Sequence, residues 1–319
     1  MQFNTKIQGY SIIMLAVFTW SFSEIIVKLL QQKIGPFTLS FFRFFIGGLF
    51  LFIILLFKRD LSGFKKLLKE NWKFLIISSC FALGISNVIY FMGVRNTQAN
   101  IAATIYSTYP IWITIYSILI LQEKNNLKLK FFGMLIGMLG ITILMTNLNF
   151  LSFFESGNLL GNVLVLLGSI LWGLYSVLGK KIQINEKNTT NMPLKFSFIS
   201  SLLACLPIFV ILIFTSEFQN FGNYDIQSWF WIFFLGIIST GLGIFLLFEG
   251  IKRLEVSKGM SLAFLKPIFA TILAFFILKE IPTLSLYISI GMIIISIVLI
   301  NKNPKIKKSD KNGNDLNLI

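Results

Sequence analysis

Residues 109–123 read YPIWITIYSILILQE and residues 266–280 read KPIFATILAFFILKE. Each stretch has proline second, an apolar run after it and glutamate last, and the two lie 157 positions apart. The same shift carries Trp72, Gly84 and Gly93 onto Trp229, Gly241 and Gly250. Five coincidences at one offset point to an internal duplication. Each copy holds five apolar segments of membrane length. Because five is odd, the second copy must enter the bilayer upside down relative to the first, an arrangement that marks transporters.

Composition agrees with a bilayer as the solvent. Of 319 residues, 55% are hydrophobic and only 13% charged, more apolar surface than a soluble fold of this size can cover. The net charge of +15 is spread through short gaps between apolar runs, whereas a nucleic-acid binder gathers its cations on one exposed face. The gaps read as solvated loops beside anionic lipid head groups. Cys80 and Cys205 lie inside apolar runs at no metal or redox spacing and read as core filler. There is no histidine, so the commonest general base near neutral pH and the commonest metal ligand are both missing. The first apolar run continues to Leu30 past Trp20 and Glu24 without a small-residue cleavage site. It therefore reads as a retained span rather than a signal peptide.

About 20 mostly apolar residues cross the hydrocarbon as a helix. By that measure the chain is an all-α membrane protein of ten spans: 9–30, 37–57, 72–94, 98–121, 129–147, 157–180, 193–214, 229–251, 257–278 and 283–300. The domain reading is a first five-helix repeat over 1–150, an inverted second repeat over 151–300, and a disordered basic tail over 301–319. With both termini inside, 21 of the Lys and Arg residues fall on the cytoplasmic side and three (Lys33, Arg95, Lys279) outside, as cytoplasmic loops require. Residues 58–71 are rich in cations, while the equivalent 215–228 have none and carry Glu217 and Asp225. Inversion predicts this contrast of charge.

Within the spans, Pro110 and Pro267 fall midway along the fourth and ninth. There each removes a backbone hydrogen bond and predicts a kink, and the freed carbonyl needs a partner or a wet cavity. Interrupted helices at matching positions place a substrate cavity beside these prolines; a packing kink is the plainer reading. Lys266 precedes Pro267 near the midplane, where an isolated charge costs about 2.5–3.5 kcal/mol. It either pairs with an acid such as Glu24 or Glu249 or faces the cavity to hold a carboxylate or phosphate. Glu24 and Lys28 stand one turn apart and can pair along one helix; alternatively Glu24, and similarly Glu249, exchanges protons. Trp20 with Lys28 and Trp172 with Lys180 are matched pairs, each eight residues apart and on roughly one helix face. Trp20, Tyr90, Tyr106, Tyr109, Trp172 and Tyr175 lie inside spans, as cavity-lining aromatics would. Trp72, Trp229 and Trp231 sit near span ends as interfacial anchors.

Three charges read as structural. Arg43 can reach lipid phosphates or another helix. Glu123 and Glu280 end the fourth and ninth spans, at the wrong end of the helix dipole for an acid, so each is expected to staple to the positive N-terminus of the following helix. Gly133 with Gly137 and Gly157 with Gly161 have close-approach spacing.

Through FTWSFSEIIVK (Trp20 to Lys28), FFRFFIGGLF around Arg43 and the two proline stretches quoted above, residues 7–300 resemble the EamA-like group of the drug/metabolite transporter superfamily. The resemblance implies two inverted five-helix repeats around a central cavity and alternating access by rocking helices. It also implies a small metabolite as cargo, the group's members moving amino acids, sugars, nucleotide sugars and assorted metabolites; the in-span cations point to a small polar solute that is anionic or zwitterionic, such as an amino acid. The second half departs from the first where Lys195 takes the place of Arg43 and SVLGK replaces EIIVK. Glu24 then lacks a counterpart, which argues against a symmetric two-carboxylate proton mechanism. The resulting expectation is a secondary-active transporter of the cell membrane, with export among the directions it allows and both termini cytoplasmic, as a monomer or homodimer. Coupling would be to a proton or a counter-substrate, with no cofactor, metal or catalytic residue. A channel or a lipid-acting membrane enzyme is the alternative.

Overall fold

In the computed structural model, residues 2–30, 32–97, 99–149, 159–278 and 283–302 are described. The side chains of residues 2, 3, 24, 25, 28, 95, 99, 100, 103, 274, 277 and 278 lie outside that description. The described chain is helical throughout. Nine of its helices are long and apolar enough to cross a membrane, and Gln2–Leu30, at 29 residues, matches them in length.

The elements run α1 (Gln2–Leu30), α2 (Pro36–Phe57), α3 (Phe64–Leu75), α4 (Ser86–Arg95), α5 (Ala99–Tyr106), α6 (Tyr109–Leu121) and α7 (Leu127–Thr146). After them come α8 (Leu159–Asn185), α9 (Met192–Ile213), α10 (Ile226–Phe234), α11 (Gly243–Ile251), α12 (Val256–Met260), α13 (Lys266–Leu278) and α14 (Leu284–Asn301). Two joins are π-helical: Ile76–Ile85 carries α3 into α4, and Leu235–Leu242 carries α10 into α11. Each makes one long rod with a widened middle, and both widened stretches end on residues related by the 157 shift, Ile85 and Leu242. Such wide turns persist where packing holds them open.

The proline expectation needs correcting. Pro110 and Pro267 do not kink the middle of a helix; each is the second residue of a new one, α6 and α13. The first turn of a helix has amides without intrahelical acceptors, so a residue lacking N–H costs nothing there. The break comes before the proline: Ser107 and Thr108 separate α5 from α6, and a 3₁₀ turn, Ser261–Leu265, separates α12 from α13.

Close backbone approaches hold the rods together, and they come in exchanged pairs. A methyl added at Gly47 would sit 2.9 Å from the amide nitrogen of Gly241, and one added at Gly84 would sit 2.7 Å from the carbonyl oxygen of Ala204. Shifting Gly47 by 157 gives Ala204, and shifting Gly84 gives Gly241. Likewise Gly250 abuts the Gly9 carbonyl and Gly161 abuts the Gly93 carbonyl, each at 3.0 Å from an added methyl. Small residues allow this in a membrane, where dispersion rather than hydrophobicity drives helix association. Of the other spacings, Gly133 abuts the Ser296 carbonyl on α14, and Gly157 lies outside the described residues.

Residues 58–63 leave the C-terminal end of α2, while Glu217 and Asp225 meet its start. Twenty-two helical residues, about 33 Å, separate these two equivalent loops. Tyr10 Oη donates to Asn301 Oδ1 at 2.8 Å, bringing the beginning of α1 and the end of α14 to the same end of the bundle. Residues 303–319 of the expected tail lie outside the described residues.

Candidate functional site

Mid-bundle, the aromatics singled out from the sequence gather into two linked groups. Trp20 and Trp172, repeat equivalents, meet edge to face with ring centroids 5.8 Å apart. Trp172 continues to Tyr175 at 5.5 Å. On the other side Tyr90 faces Tyr106 at 4.4 Å, and Tyr106 faces Tyr109 at 5.8 Å. The α5–α6 break adds polar groups that sequence reading passed over: Thr108 and Ser169 hydroxyls are 3.0 Å apart, and Trp112 Nε1 donates to Thr108 Oγ1 at 3.2 Å. The signal was available, because a hydroxyl before a helix-starting proline sits where the chain is interrupted.

Tyr175 departs from the expectation of a cavity-lining ring. It is fully enclosed, sandwiched by Phe196 and Phe248, with its hydroxyl 3.0 Å from Ser200 Oγ. A buried phenol needs a partner, and Ser200 supplies it, so Tyr175 is core. Tyr90, Tyr106 and Trp172 are half-buried, and Trp20 and Tyr109 nearly closed off.

The charged candidates sort by partner. Arg43 donates Nε to Thr240 Oγ1 at 3.0 Å in the π-helical stretch, which favours helix pairing over lipid. Glu249 is held by Arg253 one turn on, at 2.7 Å. Lys266 is half-buried at the head of α13, and its carbonyl accepts Ser21 Oγ at 3.2 Å from α1. Pro267 follows it, and its carbonyl accepts Thr271 Oγ1 at 2.9 Å. Lys195, expected to match Arg43, instead sits two residues after Pro193, as Thr38 does after Pro36; its repeat partner is Thr38. The side chains of Glu24 and Lys28, and Glu280 altogether, lie outside the described residues.

Glu123 is a staple of the expected kind on an unexpected helix. Its carboxylate accepts the amides of Val256 at 2.9 Å and Ser257 at 3.4 Å, so it caps α12 rather than the adjoining α7. Around it the turn between α11 and α12 is pinned from three sides. Lys180 of α8 donates to the carbonyls of Ile251 and Leu254. Asn125 donates to Glu255 Oε1 at 2.9 Å. Fully buried Lys130 of α7 reaches Glu255 Oε2 and Ser257 Oγ, each at 2.8 Å, and Lys258 lies 3.2 Å from Glu255. Burial works to raise the Glu255 pKa, but hydrogen bonds from Lys130 and Asn125, with the charges of Lys130 and Lys258, outweigh it and hold the carboxyl below its ordinary range.

A second ionic site at this end joins Asp60 to Lys195 at 2.7 Å, with Thr190 and Asn191 also donating to Asp60. The Lys195 hydrogen bond keeps Asp60 well below the usual carboxylate range. At the opposite end Glu217 caps the amides of Phe37 and Thr38 at 3.1 and 2.9 Å, and Lys33 pairs with Asp225 at 2.7 Å. Among the described residues no cluster of three metal-ligating side chains occurs.

The model of the EamA-like transporter family fits the chain twice, over residues 7–146 and 159–302. The chain belongs to the EamA-like transporter family. It is therefore a multi-pass membrane protein, and the paired match gives it the family's two-repeat architecture. A protein of Clostridium kluyveri named "Uncharacterized transporter" is 26% identical over 317 residues, covering 98% of this chain and 97% of that one. An "Uncharacterized transporter" of Archaeoglobus fulgidus is 23% identical over 88% of this chain and 92% of its own. A solved structure titled "Crystal structure of protein" superposes with a TM-score of 0.74 at 18% identity, covering 94% of this chain and 98% of that one. This last likeness speaks to the fold alone.

Proposed function

We propose that this chain is a secondary-active transporter of a small polar metabolite, built as ten spans in two inverted five-helix repeats (1–150 and 151–300) and working by alternating access. The observation that carries the reading is the exchange of partners between halves. Gly47 with Gly241 and Ala204 with Gly84 are one contact made twice. Asp60 with Lys195 and Glu217 with Thr38 are another, made at opposite ends. Contact between the equivalent Trp20 and Trp172 supports a pseudo-twofold axis between them, in the membrane plane. Chain ends that meet through Tyr10 and Asn301 support an even number of crossings.

The substrate site lies between the halves beside the interrupted helices, with Trp20, Trp172, Tyr90, Tyr106 and Tyr109 as walls and Pro110 and Pro267 marking the breaks. Lys266, Glu24, Lys28 and Glu249 are its charged candidates, with a proton or counter-substrate supplying the coupling. The end bearing Lys180, Glu123 and Glu255 faces the cytoplasm of a cell-membrane protein, following the excess of Lys and Arg there. Two contacts support a reading of that end as the closed one: Lys180 and Glu123 tie α8 and the α6–α7 turn onto the α11–α12 turn. By the 157 shift, the counterparts of Lys130, Glu255 and Lys258 are Tyr287, Gln98 and Ile101. The Lys130–Glu255–Lys258 ion pairing thus has no charged counterpart at the equivalent sequence positions, which supports a carrier that rests shut toward the cytoplasm.

Reconstituted into liposomes and screened against amino acids and related solutes, the protein should show saturable uptake accelerated by unlabelled solute on the far side. Flux that neither saturates nor exchanges would indicate a channel, and chemical conversion of the solute an enzyme.

A further inference from the structure

Ahead of its membrane span, α3 carries a face that the transport reading leaves unused. Asn71 interrupts the helix with φ −118° and ψ 15°. Asn71 Nδ2 donates to Glu186 Oε1 at 3.0 Å and Lys66 lies 3.6 Å from the same carboxylate, so Phe64–Glu70 is fastened to the bundle on one side. Leu67 and Asn71 point inward and are buried. Lys65, Lys69 and Trp72, at i, i+4 and i+7, take the opposite side. All are exposed, Trp72 to 54%, and Lys73 Nζ sits 5.5 Å above the Trp72 ring. Lys65, Lys69 and Lys73 have no acidic partner among the described residues, since Asp60 is taken by Lys195 and Glu70 by Lys66. Exposed Lys58 and Arg59 extend the positive field. The equivalent stretch 215–228, which the inverted reading puts on the other side of the membrane, contains no Lys or Arg.

We propose that Lys65, Lys69 and Lys73, flanked by Trp72, form a docking face for the head group of an anionic phospholipid in the leaflet at that end. The geometry suits the occupant: an amphipathic turn beside a span, cations outward at head-group depth, and an indole at the boundary between polar and apolar layers. Charge complementarity selects a phosphodiester without a compensating ammonium, such as phosphatidylglycerol, over a zwitterionic lipid. The proposal needs only the membrane embedding of the chain and stands or falls apart from transport.

The test uses the full-length protein. Binding of fluorescent phosphatidylglycerol to purified protein in neutral detergent should weaken at least about tenfold in the triple variant K65Q/K69Q/K73Q, given roughly fivefold per surface cation. It should change less than about twofold in K124Q/K128Q/K187Q, which loses equal charge elsewhere at that end. Phosphatidylcholine and inorganic phosphate should not compete. On the unaltered protein in nanodiscs, amide exchange over residues 64–75 should slow when phosphatidylglycerol replaces phosphatidylcholine, with no change over 215–228. Equal losses in both triples, competition by inorganic phosphate, or exchange indifferent to lipid charge would each overturn the assignment.

Discussion

At one end of the bundle Asp60 reaches Lys195 at the head of α9; at the other, the equivalent Glu217 reaches the amides of Phe37 and Thr38 at the head of α2. The backbone plan is common and the chemistry is not. Where a lysine occupies the first turn, the carboxylate makes a part-buried ion pair whose lysine is fully enclosed; where a threonine does, the same reach becomes a helix cap. Removing one partner of a buried pair strands the other charge, whereas a lost cap is repaired by water. The two ends should therefore answer similar substitutions with different magnitudes, and the conserved backbone contacts between halves should answer alike.

The largest effect is expected where the halves share a backbone contact. Gly47→Leu and Gly84→Leu each drive a side chain into backbone atoms that cannot move aside. Each should cost about 3 kcal/mol or more and abolish a monodisperse size-exclusion peak. A wide disparity between the two would break the equivalence of the repeats. Next, Asp60→Asn leaves Lys195, with a side chain 0% exposed, without its counter-charge and should cost about 3–5 kcal/mol in thermal unfolding. Glu217→Gln should cost about 1 kcal/mol.

The same comparison has a pH arm. Asp60 is held below its unfolded value, so its contribution is complete above about pH 4 and lost as pH falls from there toward the folded value. The melting-temperature gap between the parent and Asp60→Asn should be full at pH 7 and close on acidification. A gap unchanged at pH 3 would mean the pair does not carry the stability.

A smaller shift is expected at the end bearing Lys180, proposed above as the closed one. Lys180→Met removes the donor to the Ile251 and Leu254 carbonyls, and about 1.4 kcal/mol of lost closure should raise labelling of a Ser169→Cys probe from that side roughly tenfold. Equal labelling would show that Lys180 does not hold the closure. The least effect belongs to the aromatic wall. Tyr106→Ala should raise KM about three- to tenfold with folding intact, while Tyr175→Ala, in the core, should lower the melting temperature instead.

Particular residues show how far the sequence could be read. Glu123 was recognisable as a staple because an acid at a helix C-terminus needs a positive partner, but local reasoning assigned it to the next helix. The folded chain assigns it to α12, 133 residues away. Tyr175 looked like Trp172 in the sequence, and only the closure of Phe196 and Phe248 around it makes it core. Pro110 and Pro267 were rightly marked as interruptions, yet whether a proline bends a helix or begins one depends on the three residues before it. Lys195 was matched to Arg43 by residue type, while the helix starts match it to Thr38.

Hydropathy, the 157-residue echo and the lopsided cations determined by themselves that the chain lives in a membrane as two related halves. Those signals are periodic or compositional and survive without knowledge of neighbours. Which carboxylate caps which helix and which aromatic is enclosed were decided only by the tertiary structure. Each depends on a contact between segments more than a hundred residues apart, or on a few ångströms of ring packing, and no local pattern in the chain encodes either.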